Sequence, residues 1–507
     1  MNTLYSTRAT RIIEKTVLEN LPTGTLMQRA GQAAYQLAKN ILAQSLSTEK
    51  KILVLVGPGN NGGDALETAA NLANAGFFVS ILRVLRSKNS SEEAKSALQK
   101  AAKSPAHWEN ALSIFETFEN LKKQSWSLVI DGIFGIGLRE ELSGNIKELV
   151  AIINHIKCPI LALDIPSGLN ADTGTIIGND MVAIKATHTI TFITDKPGLH
   201  TNKGRDYAGE IHIAPLDIDQ KYFISTPFYL NNPQLFANYL KPRQHDSHKG
   251  SYGRLVILGG DEGMGGALAL ASRTALMSGA GLCYAVYLKH APIFDFSCPE
   301  IMLREAHRFN FLSHEYPILA IGPGLGRSAI AKEYLQQSLE SDKIMVLDAD
   351  ALNHLAENNH LQQLLFERKS PSIITPHPLE AARLLKTDTL SIQKDRIYSA
   401  QKLSETFNTV TVLKGSGSII ASPTGQCIIN PTGNPGLATA GTGDVLTGLI
   451  GALLAQGYPP FEAASAAVWL HGKAADNIAT NLHGYTGILA SELAKTIRAI
   501  MNNLIYQ

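Results

Sequence analysis

The sequence predicts an α/β protein built from two successive parallel sheets, each covered by helices on both faces. Short runs rich in Ile, Val and Leu alternate with longer stretches of 3.6-residue periodicity, the pattern of strands buried on both sides. The runs fall into two series separated by an irregular stretch. Many of them end in loops bearing glycine or aspartate, and open parallel sheets hold ligands at those strand ends. A chain of 507 residues is too long for one ordinary core and suits two or three domains.

The chain opens with an amphipathic helix carrying Arg8, Arg11, Glu14 and Lys15 among apolar residues, which is not the pattern of a signal peptide. The first strand series reads Lys51–Val56, Phe77–Leu85, Trp126–Asp131, Pro159–Asp164, Thr187–Ile193 and Glu210–Ile213, with a helix over Ala65–Ala75. From about Asp217 to His248 the pattern breaks. Pro227, Pro233 and Pro242, the polar pair Asn231-Asn232 and the cluster His245-Asp-Ser-His248 read as a solvated linker. A boundary near residue 225 then gives domains 1–225 and 226–507. The second series reads Arg254–Gly259, Leu282–Leu288, Ile318–Ile321, Ile344–Asp348, Ser372–Thr375, Thr409–Leu413 and Ser418–Ala421, the last two hairpin-like, with Cys427–Ile429 as a further short strand. Small residues over Ala271–Leu282 read as a helix packed closely on the sheet.

Composition narrows the function. Lys+Arg 45 against Asp+Glu 44 leaves a net charge of +1, without the basic excess of a nucleic-acid binder. No apolar run has the length to cross a bilayer. The four cysteines, 158, 283, 298 and 427, are scattered without a CxxC pair, as unpaired thiols in a reducing cytoplasm would be. Neither nucleic acid nor membrane is an expected partner, and a homo-oligomer is the expected state.

The loops carry the chemistry. In Asn434-Pro-Gly-Leu-Ala-Thr-Ala-Gly-Thr-Gly-Asp444, small residues make a turn that a helix follows directly. The first backbone N–H groups of that helix favour an anion. Gly441 and Gly443 let a phosphate approach, and Asp444 beside it suits a base taking a proton from a hydroxyl being phosphorylated. Gly57-Pro-Gly-Asn-Asn-Gly-Gly-Asp64 is a second strand–glycine loop–helix arrangement, without the Gly-Lys-Ser/Thr of a Walker loop. Asp131 opens Asp-Gly-Ile-Phe-Gly-Ile-Gly137, and Asp164 opens Asp-Ile-Pro-Ser-Gly-Leu-Asn-Ala-Asp-Thr-Gly174. At successive strand ends, these three loops should meet at one crevice.

GPGNNGGD, DGIFGIG and DIPSGLNADTG, together with the early Leu26-Met-Gln-Arg-Ala-Gly31, resemble the YjeF N-terminal family of NAD(P)H-hydrate epimerases. The resemblance implies a Rossmann-like three-layer domain and a potassium ion held by Asn61, Asp131 and Ser167. It also implies substrate binding by Asn60, Asn61, Gly62, Gly63 and Asp64, by Gly135, Ile136, Gly137, Leu138, Arg139, Glu140 and Glu141, and by Asp164. Ala65 departs from the Gly of many relatives by one methyl. Downstream, Lys249-Gly-Ser-Tyr-Gly253, Gly322-Pro-Gly-Leu-Gly326, Asp348-Ala-Asp350, Thr375-Pro-His-Pro378, Lys414-Gly-Ser-Gly-Ser418 and Gly441–Asp444 resemble the ribokinase-like fold in its YjeF C-terminal, nucleotide-dependent NAD(P)HX dehydratase form. That second three-layer domain is thereby expected to bind ADP or ATP with Mg²⁺ at Lys414, Gly415, Ser416, Gly417, Ser418 and Gly443. The hydrated nicotinamide is expected at Ala267, Gly324, His377 and Asp444. Leu379 stands where the family commonly has Gly.

The order of the two resemblances matches the fused bifunctional repair enzymes. They imply epimerisation of NADHX and NADPHX, then dehydration by phosphorylating the hydroxyl so that phosphate can leave. Asp444 is the expected base of the second step, and Asp164 the expected acid/base group of the first. The rival readings are a small-molecule kinase that stops at the phosphorylated product and a non-catalytic first domain.

Overall fold

The structure, a computed structural model, describes residues 2–44, 50–85, 91–109, 121 and 124–506. The chain divides into two compact units, Thr3–Thr226 and Pro227–Gln507, the latter joined by Met1–Asn2.

In the first unit the strands are β1 (Lys51–Val56), β2 (Phe78–Arg83), β3 (His107–Trp108), β4 (Leu128–Gly132), β5 (Ile160–Leu163), β6 (His188–Phe192) and β7 (Glu210–Ala214). They form one parallel sheet of order β3-β2-β1-β4-β5-β6-β7. Alternation along β1 explains the layers. Ile52, Val54 and Val56 join a core with the helices Thr7–Leu18, Thr25–Ala43, Asn60–Asn74 and Glu92–Lys103. Leu53 and Leu55 join a second core with the helix Gly144–His155 on the other face. Strand order reverses between β1 and β4, so the loops after these two strands splay apart and leave a crevice.

The second unit holds β8 (Phe228–Leu230), β9 (Arg254–Gly259), β10 (Leu282–Tyr287), β11 (Met302–Glu305), β12 (Ile318–Ile321), β13 (Ile344–Leu347), β14 (Ser372–Ile374), β15 (Val410–Leu413), β16 (Ile419–Ala421) and β17 (Cys427–Ile429). Their order is β11-β10-β9-β12-β13-β14-β15-β16-β17-β8, with the switch between β9 and β12. β15, β16 and β17 run antiparallel in succession, so Lys414–Ser418 is the turn of a hairpin, as expected. Leu255 and Ile257 of β9 pack in a core with residues of the helices Gly265–Met277, Thr442–Ala455, Pro460–Leu482 and Ala490–Tyr506. Val256 and Leu258 point the opposite way and are equally buried.

The structure corrects three expectations. The stretch 217–248 is not all solvated linker: β8 pairs with β17, and Phe236 is fully buried. Asn231 is buried, and its side-chain N–H groups donate to Asn430 Oδ1 at 3.0 Å and to the Ser465 carbonyl at 2.8 Å, while its Oδ1 has no hydrogen-bond partner. The longest continuously exposed run there begins at residue 241 and includes His245 and His248. The first ligand helix begins at Asn60 and not Ala65, because Gly62 and Gly63 pack where a side chain would strike Gly57 and Met27. The helix expected over Ala271–Leu282 spans Gly265–Met277, and Leu282 already starts β10. Short strands β3, β8 and β11 carried no sequence signal of their own.

Candidate active sites

In the first unit the loop after β1 and the loop after β4 touch at their bases. Gly57 lies so close to the Ile133 carbonyl that no side chain fits there. Above this contact a cavity of about 640 Å³ opens, lined among others by Arg11, Glu14, Asn60, Asn61, Asp64 and Asp164 and by the loop 135–140. The N-terminal amphipathic helix, capped by Ser6, buries Ile13 and Val17 and turns Arg11 and Glu14 toward the cavity. Of the expected substrate residues, Asn60, Asn61, Asp64, Gly135, Ile136, Gly137, Leu138, Arg139, Glu140 and Asp164 line it. Gly62 and Gly63 serve helix packing instead. Glu141 turns away and accepts a hydrogen bond from the Asn179 amide at 3.0 Å.

Asp164 sits at φ +64°, a left-handed conformation that a non-glycine residue holds only where its surroundings fix it. Lys196, fully buried, fixes one oxygen: Nζ lies 2.8 Å from Asp164 Oδ1 and also donates to Thr191 Oγ1 and the Phe192 carbonyl at 2.7 Å. The other oxygen accepts from the Ile136 amide at 3.2 Å, tying the 135–140 loop to this carboxylate. Sequence reasoning passed over Lys196, although it follows the end of β6 in Thr194-Asp-Lys-Pro-Gly198. Burial, then the charges of Asp164, Glu14 and Glu67, push Asp64 well above the ordinary carboxylate range. Burial and Asp164 push Glu14 in the same direction.

Asp131 is wholly buried at the end of β4. It accepts from the Ser167 amide at 2.8 Å, the Ser167 hydroxyl at 2.7 Å and the Ile133 amide at 3.2 Å. Even so, burial pushes its carboxyl up to about 6. Beside this loop, both side-chain polar atoms of Asn61 are buried and without a hydrogen-bond partner. Buried amides are rarely left so, and each unmet group costs about 1–3 kcal/mol. A cation bound by oxygens would satisfy Asn61 Oδ1 and the Asp131 charge together, and hard oxygen donors suit potassium and not zinc. The residues therefore fit the ion.

In the second unit the turn before Thr442–Ala455 is held by Asp476, which accepts from the Gly433 amide at 2.9 Å and the Asn434 side chain at 3.0 Å. Gly441 caps the helix at φ +89°, a conformation that glycine adopts without steric cost. Lys414, at the end of β15, reaches under the helix start: Nζ is 2.7 Å from Asp348 Oδ1 and 3.9 Å from Glu380 Oε2. Thr447 donates to Asp348 Oδ2 at 2.7 Å. A side chain at Gly443 would begin 3.5 Å from Lys414 Nζ and 3.7 Å from Asp348 Oδ2, so this glycine keeps the space above the cluster open. Burial works against both charges, yet Lys414 holds Asp348 below its ordinary range, and Asp348 and Glu380 hold Lys414 above its own. Asp444, one helical turn before Thr447, is pushed up to about 6 by burial and by Asp348 and Asp350, with Lys414 opposing.

His377 caps the helix Pro378–Leu384. Its Nδ1 accepts from the Leu379 and Glu380 amides at 3.1 and 3.4 Å, and Glu380 Oε2 accepts from the His377 amide at 2.8 Å. Burial and Lys414 hold the imidazole below its ordinary value, as a lone pair engaged in capping requires. Leu379 points outward at 46% exposure and leaves this capping intact. Glu380, pushed up to about 7 by burial, was not foreseen, although His-Pro-Leu-Glu has the capping-box spacing. Arg396 donates to the Leu413 and Lys414 carbonyls at 3.3 and 3.2 Å, supporting the turn of Gly415, Ser416, Gly417 and Ser418 from below. Gly324 lies against Met264, ahead of Ala267, and the Asp261 amide donates to its carbonyl at 2.7 Å. From the same loop the Gly326 amide donates to Asp350 Oδ2 at 2.9 Å, linking it to the Asp444 cluster.

The family described as the YjeF-related protein N-terminus matches residues 23–198, and the family described as NAD(P)H-hydrate dehydratase matches residues 255–499. The chain is similar to the bifunctional NAD(P)H-hydrate repair enzyme Nnr of Escherichia coli (strain K12), 39% identical over 94% of this chain and 89% of the relative. It is 37% identical to that of Coxiella burnetii (strain RSA 493 / Nine Mile phase I) over 99% of this chain and 100% of the relative. Among solved structures it is similar to the ADP/ATP-dependent NAD(P)H-hydrate dehydratase from Bacillus subtilis co-crystallized with ATP/Mg²⁺, at 32% identity and a TM-score of 0.48, over 55% of this chain and 99% of that one. Glycine-rich loops gathered at the strand ends of two largely parallel sheets, one set in each unit, are the marks of an α/β enzyme. Both relatives match this chain across both units. The chain belongs to the family of bifunctional NAD(P)H-hydrate repair enzymes.

Proposed function

We propose that this chain interconverts the R and S epimers of NADHX and NADPHX in its first unit, and in its second dehydrates the S epimer at the expense of ADP or ATP. The observation that carries the reading is the second cluster. Lys414, Asp348 and Thr447 brace the start of a glycine-capped helix, and Asp444 stands in its first turn. Hydroxide leaves poorly from the hydrated ring at neutral pH. Transfer of the terminal phosphoryl group to the hydroxyl oxygen, with its proton passing to Asp444, forms a phosphate ester. Its C–O bond then breaks to release phosphate, and the neighbouring ring carbon gives up a proton to the departing phosphate or solvent as the ring double bond returns. The helix N–H groups and Lys414 receive the nucleotide phosphates, and Gly443 leaves them room. The donors around Lys414 are carboxylate oxygens, the hard ligands that Mg²⁺ takes, so the set fits the magnesium that travels with the nucleotide.

In the first unit, epimerisation needs a proton removed and returned. Two carboxyls line the cavity in unlike settings: Asp164 ion-paired to Lys196, and Asp64, which burial inclines to keep its proton. A potassium ion held by Asn61, Asp131 and Ser167 supplies positive charge for placing the substrate's phosphates. Asp131→Ala is expected to weaken epimerisation and abolish its dependence on potassium. Epimerase rates with and without the ion check this, and a variant that still responds to potassium would remove the assignment.

Each activity is assigned to its own unit, 1–225 and 226–507. Because β8 completes the second sheet, a chain starting at Pro227 keeps that sheet whole. The separated halves are expected to show epimerase and dehydratase activity respectively, and a folded first half without epimerase activity would contradict the division. The dehydratase also has an expected pH limb. Asp444 must be unprotonated to act as base, and its carboxyl lies near 6 and not the ordinary 3.8. The rate therefore falls below that point by about tenfold per pH unit. Profiles of kcat/KM, with and without Asp444, locate the limb.

A further inference from the structure

The first residues of β6 and β7 lie at the opposite end of the first sheet from the crevice. His188 is registered against Glu210, and Ile190 against His212. Alternation along β7 puts Glu210 and His212 on one face. His188 and His212 stack with centroids 5.9 Å apart and an interplanar angle of 20°. One donor atom from each of His188, Glu210 and His212 lies within 4.8 Å of the other two, the only such group among the described residues.

Two details separate this trio from an ordinary surface ion pair. His212 Nε2 is buried and makes no hydrogen bond, although Glu210 Oε1 is 3.4 Å away. The ring of His188 is also held in place. Thr187 Oγ1 accepts from the Ile160 amide at 2.9 Å and lies 2.9 Å from His188 Nδ1, which turns Nε2 toward the other two side chains. A hydrogen-bonded neighbour orients metal-binding imidazoles in this way. His188 Nε2 faces Glu210 Oε2 at 3.9 Å.

We propose that His188, Glu210 and His212 form a site for a zinc-class divalent ion, with a fourth position open to solvent. Two imidazoles and a carboxylate are a donor set that zinc takes, and a tetrahedral site with bonds of about 2.0–2.1 Å spaces its donors about 3.3 Å apart. The 3.4 Å between Glu210 Oε1 and His212 Nε2 already has that spacing, and rotation of the His188 ring brings in the third donor. The ion ties the edge strand β7 to β6. It leaves the crevice untouched, because Phe192 and Ile193, which line that cavity, stand at the other end of β6.

The full-length chain, without a polyhistidine tag and stripped by chelator, is titrated with Zn²⁺ by calorimetry and with Co²⁺ by visible absorption. One ion per chain, the strong visible bands of four-coordinate cobalt and a melting temperature raised by zinc are expected. His188→Ala and His212→Ala each lose the ion and the bands, while His245→Ala keeps both and all three keep the epimerase rate. Glu210→Gln, at an exposed position, repeats the test without disturbing the core. No saturable binding, or binding retained in His212→Ala, overturns the site.

Discussion

Asp444→Asn is expected to end dehydration while leaving the fold, nucleotide binding and the epimerase in place. Asn keeps the size and the hydrogen-bonding shape of the side chain but cannot take the hydroxyl proton. Loss of a general base costs about 10²–10⁴-fold in rate. The rest of the phosphoryl-transfer machinery stays: Lys414 remains paired with Asp348, and Thr447 still braces that carboxylate. Removing a carboxylate that burial penalises should not destabilise the second unit. The assay uses the S epimer with ADP and Mg²⁺, beside a nucleotide-binding measurement. Near-normal turnover would refute the base role, and lost nucleotide affinity would mark Asp444 as a phosphate-site or magnesium residue instead.

Asp164→Asn is expected to reduce epimerisation by about 10²–10⁴-fold and, unlike the first variant, to lower stability. Lys196 is fully buried, and Asp164 is the carboxylate paired with it. Breaking a buried pair from one side costs about 3–5 kcal/mol, although Thr191 and the Phe192 carbonyl still accept from the ammonium. The double variant Asp164→Asn/Lys196→Met separates the two effects. It should regain melting temperature, because no lone charge remains, and stay inactive. Return of activity with stability would show that Asp164 only holds the fold.

The strands nearest the ligand loops were legible because each is a compact apolar run closed by Gly or Asp, as at Lys51–Val56 and Ile318–Ile321. Three things were not. Asn231 reads as part of a solvated linker in sequence, yet its side-chain N–H groups donate to Asn430 and Ser465, each about two hundred residues away or more. Lys196 and Glu380 matter through their partners Asp164 and Lys414, and such pairings arise only when strand ends are brought together. His188 and His212 show no ligand-type spacing along the chain, because strand register alone makes them neighbours. Asp64, Asp131 and Asp444 were legible as loop acids, but their raised carboxyls come from burial that a sequence does not display.

Both activities reside in this chain and together return damaged cofactor to use. The decisive measurement incubates the full-length protein with chemically prepared NADHX containing both epimers, ADP, Mg²⁺ and potassium, and follows recovery of reduced-nicotinamide absorbance. Recovery of both epimers is expected, with release of phosphate equal to the NADH formed. Asp131→Ala should slow the part that begins as R, and Asp444→Asn should abolish the whole. Accumulation of a stable phosphorylated product without return of the absorbance would rule out dehydration and leave a small-molecule kinase in its place.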